Sequence, residues 1–334
     1  MIENTVKPSI DREFSNLSDA MFYIEKLALG KPRFVFRGQQ NASWKLESTY
    51  QRLYKNNAYK RRYSVLDVMQ KFLGGLSEVE RLPFDIKDRL SCLEYARHHG
   101  LPTPVLDCSY SPYVALYFAF TNLTLEMSVA SGKSAIYAFN IDAMKKWNPI
   151  INHSYEDVDD HGKPFTQEVE INPGVFEYVY GAQIDRKLFI DQTDEEFFNS
   201  GFPLHRLRFV RGCSSWNTRM RNQLGCFLYD SMPYASNHRG FNFDDLQEYI
   251  NSFRLVKNSM EDCVLLHKIT LPHSCAEEVF TRLELMNITG AKMLDKEGLA
   301  TDVKNSIHYI PRLAVPRDLA LLPPLGNPRE MKWE

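Results

Sequence analysis

The chain has 334 residues, 44% of them apolar and 25% charged, and a formal net charge of −2 at pH 7. That is room for one large or two average domains of ordinary globular composition, without the basic excess that sequence-blind nucleic-acid binding needs. The six cysteines form no CxxC pair, no basic-then-apolar signal opens the chain, and no apolar run approaches the roughly 18–20 residues of a membrane span. These features predict a reduced, cytoplasmic, soluble protein with no metal site and no membrane partner.

In chain order, Asn16 or Ser18 caps a first helix carrying Ala20, Phe22, Ile24 and Leu27, with Gly30 where a left-handed cap belongs. "RFVFRG" (33–38) alternates as a short strand that ends at Gly38. Residues 47–56 and 64–75 have helical spacing, and "IKDRLSCLEYARHH" (86–99) is a helix stopped by Gly100. Pro102 and Pro104 force extended backbone over 101–106. Ser111-Pro112 then starts a helix, "PYVALYFAF", which is apolar on every side and so belongs at the domain centre.

Residues 134–139 are expected to be a strand, and the polar stretch 148–170 a mobile loop or insertion. Strands follow at 174–180, 206–210, 226–230 and 263–271. Two helices close the fold, at 273–287 and 299–308, before a proline-rich tail. No steady βαβ alternation is present. The expected class is α+β, a mixed or antiparallel sheet core with a buried central helix and flanking helices.

Polar groups with chemical potential sit at three places. Arg37 closes a hydrophobic strand before Gly38, so its guanidinium either meets a phosphate or carboxylate beside exposed backbone or serves only as a strand end. Asp107, Ser109 and Ser111 precede the apolar helix, whose N-terminus favours anions. One hydroxyl caps that helix and leaves the other free. His98 and His99 are either part of such a site or a satisfied helix C-terminus. In "RMRNQLGCFLYD" (219–230), Arg219, Arg221 and Gln223 stand before Gly225 at a strand mouth, as ligand-binding groups or as a charged turn.

"FRGQ" (36–39), "HHGLPTPVLDCSYSPYVALYFAF" (98–120) and "RNQLGCF" (221–227) resemble the three signature blocks of the FRG-domain family, and "ITGAKMLDKEGLATDV" (288–303) is similar to its usual C-terminal end. The resemblance spans residues 15–305 as one domain, with a polar insertion near 148–170 and a tail over 306–334. Arg97, Pro104 and Cys108 depart from the usual Gln, Arg and Trp. The lost arginine at 104 removes a charge beside the site.

The block order in turn resembles ADP-ribosyltransferases of the Arg–Ser–Glu type. That likeness implies an ADP-ribosyltransferase-like fold. It also implies an NAD-consuming enzyme, a transferase or glycohydrolase acting as an intracellular toxin or antiviral defence effector, with NAD as substrate and an acceptor that the sequence does not name. By the same likeness Arg37, Ser111, Gln223 and Glu170 carry catalysis, and Arg37, Gly38, His98, His99, Thr103, Asp107, Ser109 and Arg221 bind the nucleotide. Gln223 stands where a glutamate is expected and brings no negative charge, and Glu170, with Glu168 on the same strand face, is the nearest substitute in chain order. The alternative is a non-catalytic module that binds a nucleotide-like ligand or a partner protein. All of it requires three distant segments to converge on one cleft.

Overall fold

The computed structural model describes residues 5–6, 8–56, 65–79, 82–85, 88–123, 132–147, 166–172, 175–180, 207–211, 216–230, 245–251, 255–256 and 264–309. In order, the first half runs β1 (Thr5–Val6), β2 (Ser9–Glu13), α1 (Leu17–Leu29), β3 (Phe34–Gln39), α2 (Thr49–Asn56), α3 (Val65–Val79), α4 (Arg89–His98), β4 (Val105–Ser109), α5 (Pro112–Phe120), β5 (Lys133–Asn140) and α6 (Ile141–Trp147). The second half runs β6 (Thr166–Asn172), β7 (Val175–Tyr180), β8 (Leu207–Arg211), α7 (Thr218–Asn222), β9 (Gly225–Asp230), α8 (Leu246–Asn251), β10 (Leu255–Val256), β11 (Leu266–Pro272), a 3-10 turn (His273–Cys275), α9 (Ala276–Leu285) and α10 (Gly290–Tyr309). The class is α+β. Among the described residues no helix is long and apolar enough to cross a membrane.

Seven strands form one mixed sheet in the order β2-β11-β5-β3-β4-β9-β8, in which only β2 and β11 run parallel. Alternation along the strands sorts two layers. Phe36, Ile136, Ala138 and Ile269 face α5, α1 and α9 on one side. Val35, Ala135, Tyr137 and Phe139 face α6 and α8 on the other. A smaller cluster, with Leu93 of α4, Val105 and Phe227, extends the first layer past β4. The central rod is α5: Leu116, Tyr117, Ala119 and Phe120 are at most 1% exposed.

Local signals set several boundaries. Asn16 caps α1 by accepting from Asp19 N at 2.9 Å. Gly30, however, has φ −82°, so it is extended rather than left-handed. Gly100 at φ +82° ends α4. There Gly100 N donates to the Arg97 carbonyl and Leu101 N to the Ala96 carbonyl, the paired bonds of a Schellman turn. The strand expected from Leu101 begins only at Val105, because Pro102 and Pro104 have no N–H to give a ladder. The strand then runs on through Asp107 to Ser109.

Residues 166–170 of the expected loop or insertion belong to strand β6, paired with β7 in a separate two-stranded sheet. Residues 148–165 and the tail beyond Tyr309 lie outside the described residues.

Gly38 explains why the first two sequence blocks belong together. A Cβ on it would lie 2.0 Å from the Ala115 carbonyl oxygen and 2.6 Å from Ala119 N, so β3 and α5 touch backbone to backbone. The glycine of "FRG" and the small residues of "VALYFA" are two halves of one contact.

Near the C-terminus α10 doubles back. Residues eight apart in a straight helix are about 12 Å apart, yet a Cβ on Gly298 would sit 1.7 Å from the Gly290 carbonyl oxygen. Asp302 then accepts from the N–H groups of Gly290 and Ala291 at 2.6 and 2.8 Å, satisfying that helix start.

Candidate functional site

β3 and β4 share a single paired position, Phe36 with Ser109. Beyond it the strands diverge, and the sheet splits between the end of β3 and the start of β4. A cleft of about 510 Å³ occupies this split. That lies within the roughly 300–1,000 Å³ of small-molecule sites.

Arg37 bridges the gap. Its Nη1 donates to the Asp107 carbonyl at 2.8 Å, replacing a ladder bond the diverging strands cannot make, and its Nε reaches Gln39 Oε1 at 3.5 Å. Asp107 also holds Arg97, through Nε at 3.3 Å and Nη2 at 2.5 Å. Burial opposes the Asp107 charge, but the guanidinium of Arg97, and then that of Arg37, outweighs it and holds the carboxyl below its usual range. Arg37 is pulled below the ordinary arginine value, first by desolvation and further by the like charges of Arg97 and Arg52. Arg97 thus pairs with the Asp107 carboxylate, Arg37 holds its main-chain carbonyl, and Arg52 lines the same cleft.

Arg97 reaches across from α4 to Asp107 of β4, whereas Pro104 is not in the lining of the cleft. Of the whole lining, Arg37, Lys45, Arg52, Arg97 and Arg219 are cationic, against the carboxylates of Glu94 and Asp107. Cys108 also lines the cleft, and burial pushes its thiol up to about 12, so it stands there as a neutral group.

The third block closes one wall. Ser109 Oγ donates to the Gln223 carbonyl at 2.6 Å and accepts from Ser111 N at 2.9 Å. Tyr110 N donates to the Leu224 carbonyl at 2.9 Å, and Leu224 sits at φ +47°, a strained conformation for leucine that turns these carbonyls toward β4. The closing segment braces this turn: Gln223 Nε2 donates to the Met293 carbonyl and Asn222 Nδ2 to the Lys292 carbonyl, both at 2.9 Å, and Arg219 pairs with Glu297 at 3.2 Å.

The split thus gathers Arg37, Gly38, His98, Asp107, Ser109 and Gln223 of the expected residues. Ser111 is not in the lining. It caps α5, its Oγ accepting from Val114 N at 3.4 Å. The hydroxyl expected to be free, that of Ser109, is committed to the Gln223 carbonyl. His99 lies outside the lining, its ring centroid 4.3 Å from that of Tyr95. Thr103 is fully buried, its backbone bonded to Tyr50 and Thr49. Arg221 is exposed on α7, away from the cleft lining. Glu168 and Glu170 belong to the separate β6–β7 hairpin, and their side chains are outside the described residues.

Sequence reasoning missed a second wall, Trp44, Lys45 and Arg52, which no motif covers. It also missed Glu94. That residue is 1% exposed in the cleft lining and accepts from Asn217 Nδ2 at 2.8 Å. Its signal was present: a lone carboxylate inside "LSCLEYA", on a helix that buries Leu93 and Ala96, needs a partner or a purpose.

The FRG-domain family model matches residues 32–127. The chain carries an FRG domain. The match contains the first two blocks, from the "FRG" strand through α5. The third block and the closing segment lie beyond it, joined to the FRG domain by the β4–β9 ladder and the Ser109 bond. No curated protein and no solved structure matches the chain.

Proposed function

We propose that the split sheet of this FRG domain binds a nucleotide through its pyrophosphate, that the nucleotide is NAD, and that the domain consumes it by cleaving the nicotinamide–ribose bond. The observation that carries this reading is the set of cationic side chains, Arg37, Arg97, Arg52 and Lys45, that line one cleft whose described carboxylates are Asp107, already paired with Arg97, and Glu94. Like charges held that close in a partly desolvated cleft are relieved by a polyanion, and guanidinium forks match phosphate oxygens. Cleavage builds positive charge on the ribose, and Glu94, pinned by Asn217, offers the negative charge that Gln223 lacks. Water or an acceptor nucleophile then takes the ribosyl carbon as nicotinamide leaves. An intracellular toxin or defence effector is the role such an NAD-consuming activity supports.

A second reading keeps the ligand and drops the chemistry. It is favoured by the fate of the expected polar groups, since Ser109, Ser111 and the Gln223 amide all serve backbone bonds. Incubation with NAD decides between them. Nicotinamide release by the wild-type chain, absent from Arg37→Ala, supports the enzyme. A rise in Tm with NAD but no release supports the binding module.

A further inference from the structure

Trp44 stands in the lining of the split with its side chain 48% exposed. It is not exposed because its loop is loose. Ser43 donates from N and Oγ to Asn41 Oδ1 at 2.8 and 2.7 Å, and Trp44 N donates to the Asn41 carbonyl at 3.1 Å. Ala42 N donates to the Lys133 carbonyl at 2.7 Å, and Gln39 Nε2 donates to the Trp44 carbonyl at 3.3 Å. Two residues later, Leu46 is fully buried.

A rigid loop therefore presents a large apolar ring to water at the mouth of a cleft, where most proteins would bury it. Among the described residues Phe22, Leu29, Leu224, Leu285, Leu299 and Val303 are more exposed, but none of them lines the split. Lys45 and Arg52 line the same cleft as Trp44, and an aromatic side chain in a cleft with cations is the pattern that holds a base next to its phosphates.

We infer that Trp44 is the stacking platform for the ring of a nucleotide whose phosphates lie on Arg37, Arg97 and Arg52. This rests on the nucleotide reading above and adds which side chain recognises the base. Inorganic pyrophosphate, ADP and nicotinamide mononucleotide separate the two claims when titrated by calorimetry into wild type, Trp44→Ala, Trp44→Phe and Arg37→Ala.

Trp44→Ala should weaken nucleotide binding roughly tenfold to a hundredfold and leave pyrophosphate binding unchanged, while Trp44→Phe keeps most of the affinity. A loss confined to ADP puts adenine on the indole, and one confined to nicotinamide mononucleotide puts nicotinamide there. If Trp44→Ala binds both nucleotides as tightly as wild type, the stacking role is refuted while the phosphate site stands. If none of the three ligands binds, or Arg37→Ala binds pyrophosphate normally, the nucleotide reading itself fails and the stacking role goes with it.

Discussion

Alanine at position 38 would insert one methyl carbon between β3 and α5, where the Ala115 carbonyl oxygen would be 2.0 Å away and Ala119 N 2.6 Å. Ordinary contacts begin near 3.4 Å, so the two backbones must separate by more than an ångström. No rotamer relieves this, because both obstacles are main chain inside the most buried helix. Overpacking a core costs about 1–3 kcal/mol when side chains can give way. With rigid backbone on both sides Gly38→Ala should cost about 3 kcal/mol or more, offset by only about 0.5 kcal/mol from the stiffer unfolded chain. At 2–4 °C per kcal/mol the net loss of about 2.5 kcal/mol is a fall in Tm of roughly 5–10 °C. Thermal melts followed by circular dichroism read it directly. A Tm within about 2 °C of wild type, accompanied by lost ligand binding, would refute the packing argument and return Gly38 to the role of a bare ligand-binding backbone.

Two other outcomes follow from charges. His267 is 7% exposed and its Nδ1 shares a hydrogen bond with the Tyr23 hydroxyl at 2.7 Å, and burial, with Arg12 nearby, pushes its pKa down to about 4. Its unfolded value is near 6.5, so between those limits the unfolded chain binds the extra proton. Stability therefore rises with pH across that window, and acidification from pH 7 to 4 should remove on the order of 3 kcal/mol through this residue. The urea midpoint of the wild type should fall relative to that of His267→Gln as the pH drops from 7 to 4; a difference that stays constant with pH would contradict it.

Arg97→Gln should relax Asp107 toward the normal carboxylate range and remove one phosphate partner. Because the pair is 26% and 48% exposed, the stability cost stays near 1 kcal/mol or below. Calorimetric affinity for ADP should fall about tenfold or more; unchanged affinity would take Arg97 out of the site.

Much of the fold was legible because its signals are local. Gly100 as a helix stop, Ser111-Pro112 as a helix start and the alternation of "RFVFRG" each depend on a few neighbouring residues. The split between β3 and β4 was not legible, since strand divergence arises from pairing between segments some 70 residues apart. The same holds for the fate of the serines: Ser109 was read as free because its partner, the Gln223 carbonyl, lies 114 positions away.

Arg97 was read as a departure from the family pattern. Its pairing with Asp107 shows only when α4 is seen against β4. Trp44, Lys45 and Arg52 carry no periodicity and no motif. Glu94 alone among the missed residues left a trace, a carboxylate on a helix that buries its neighbours.

The central claim is that Arg37 anchors a pyrophosphate-bearing nucleotide in the split sheet. Titration of NAD into the wild-type chain and Arg37→Ala, with Tm and released nicotinamide followed together, tests it most directly. Saturating binding that raises the wild-type Tm and vanishes in a normally folded Arg37→Ala is the predicted result. Equal responses from both proteins, or none from either, would contradict it.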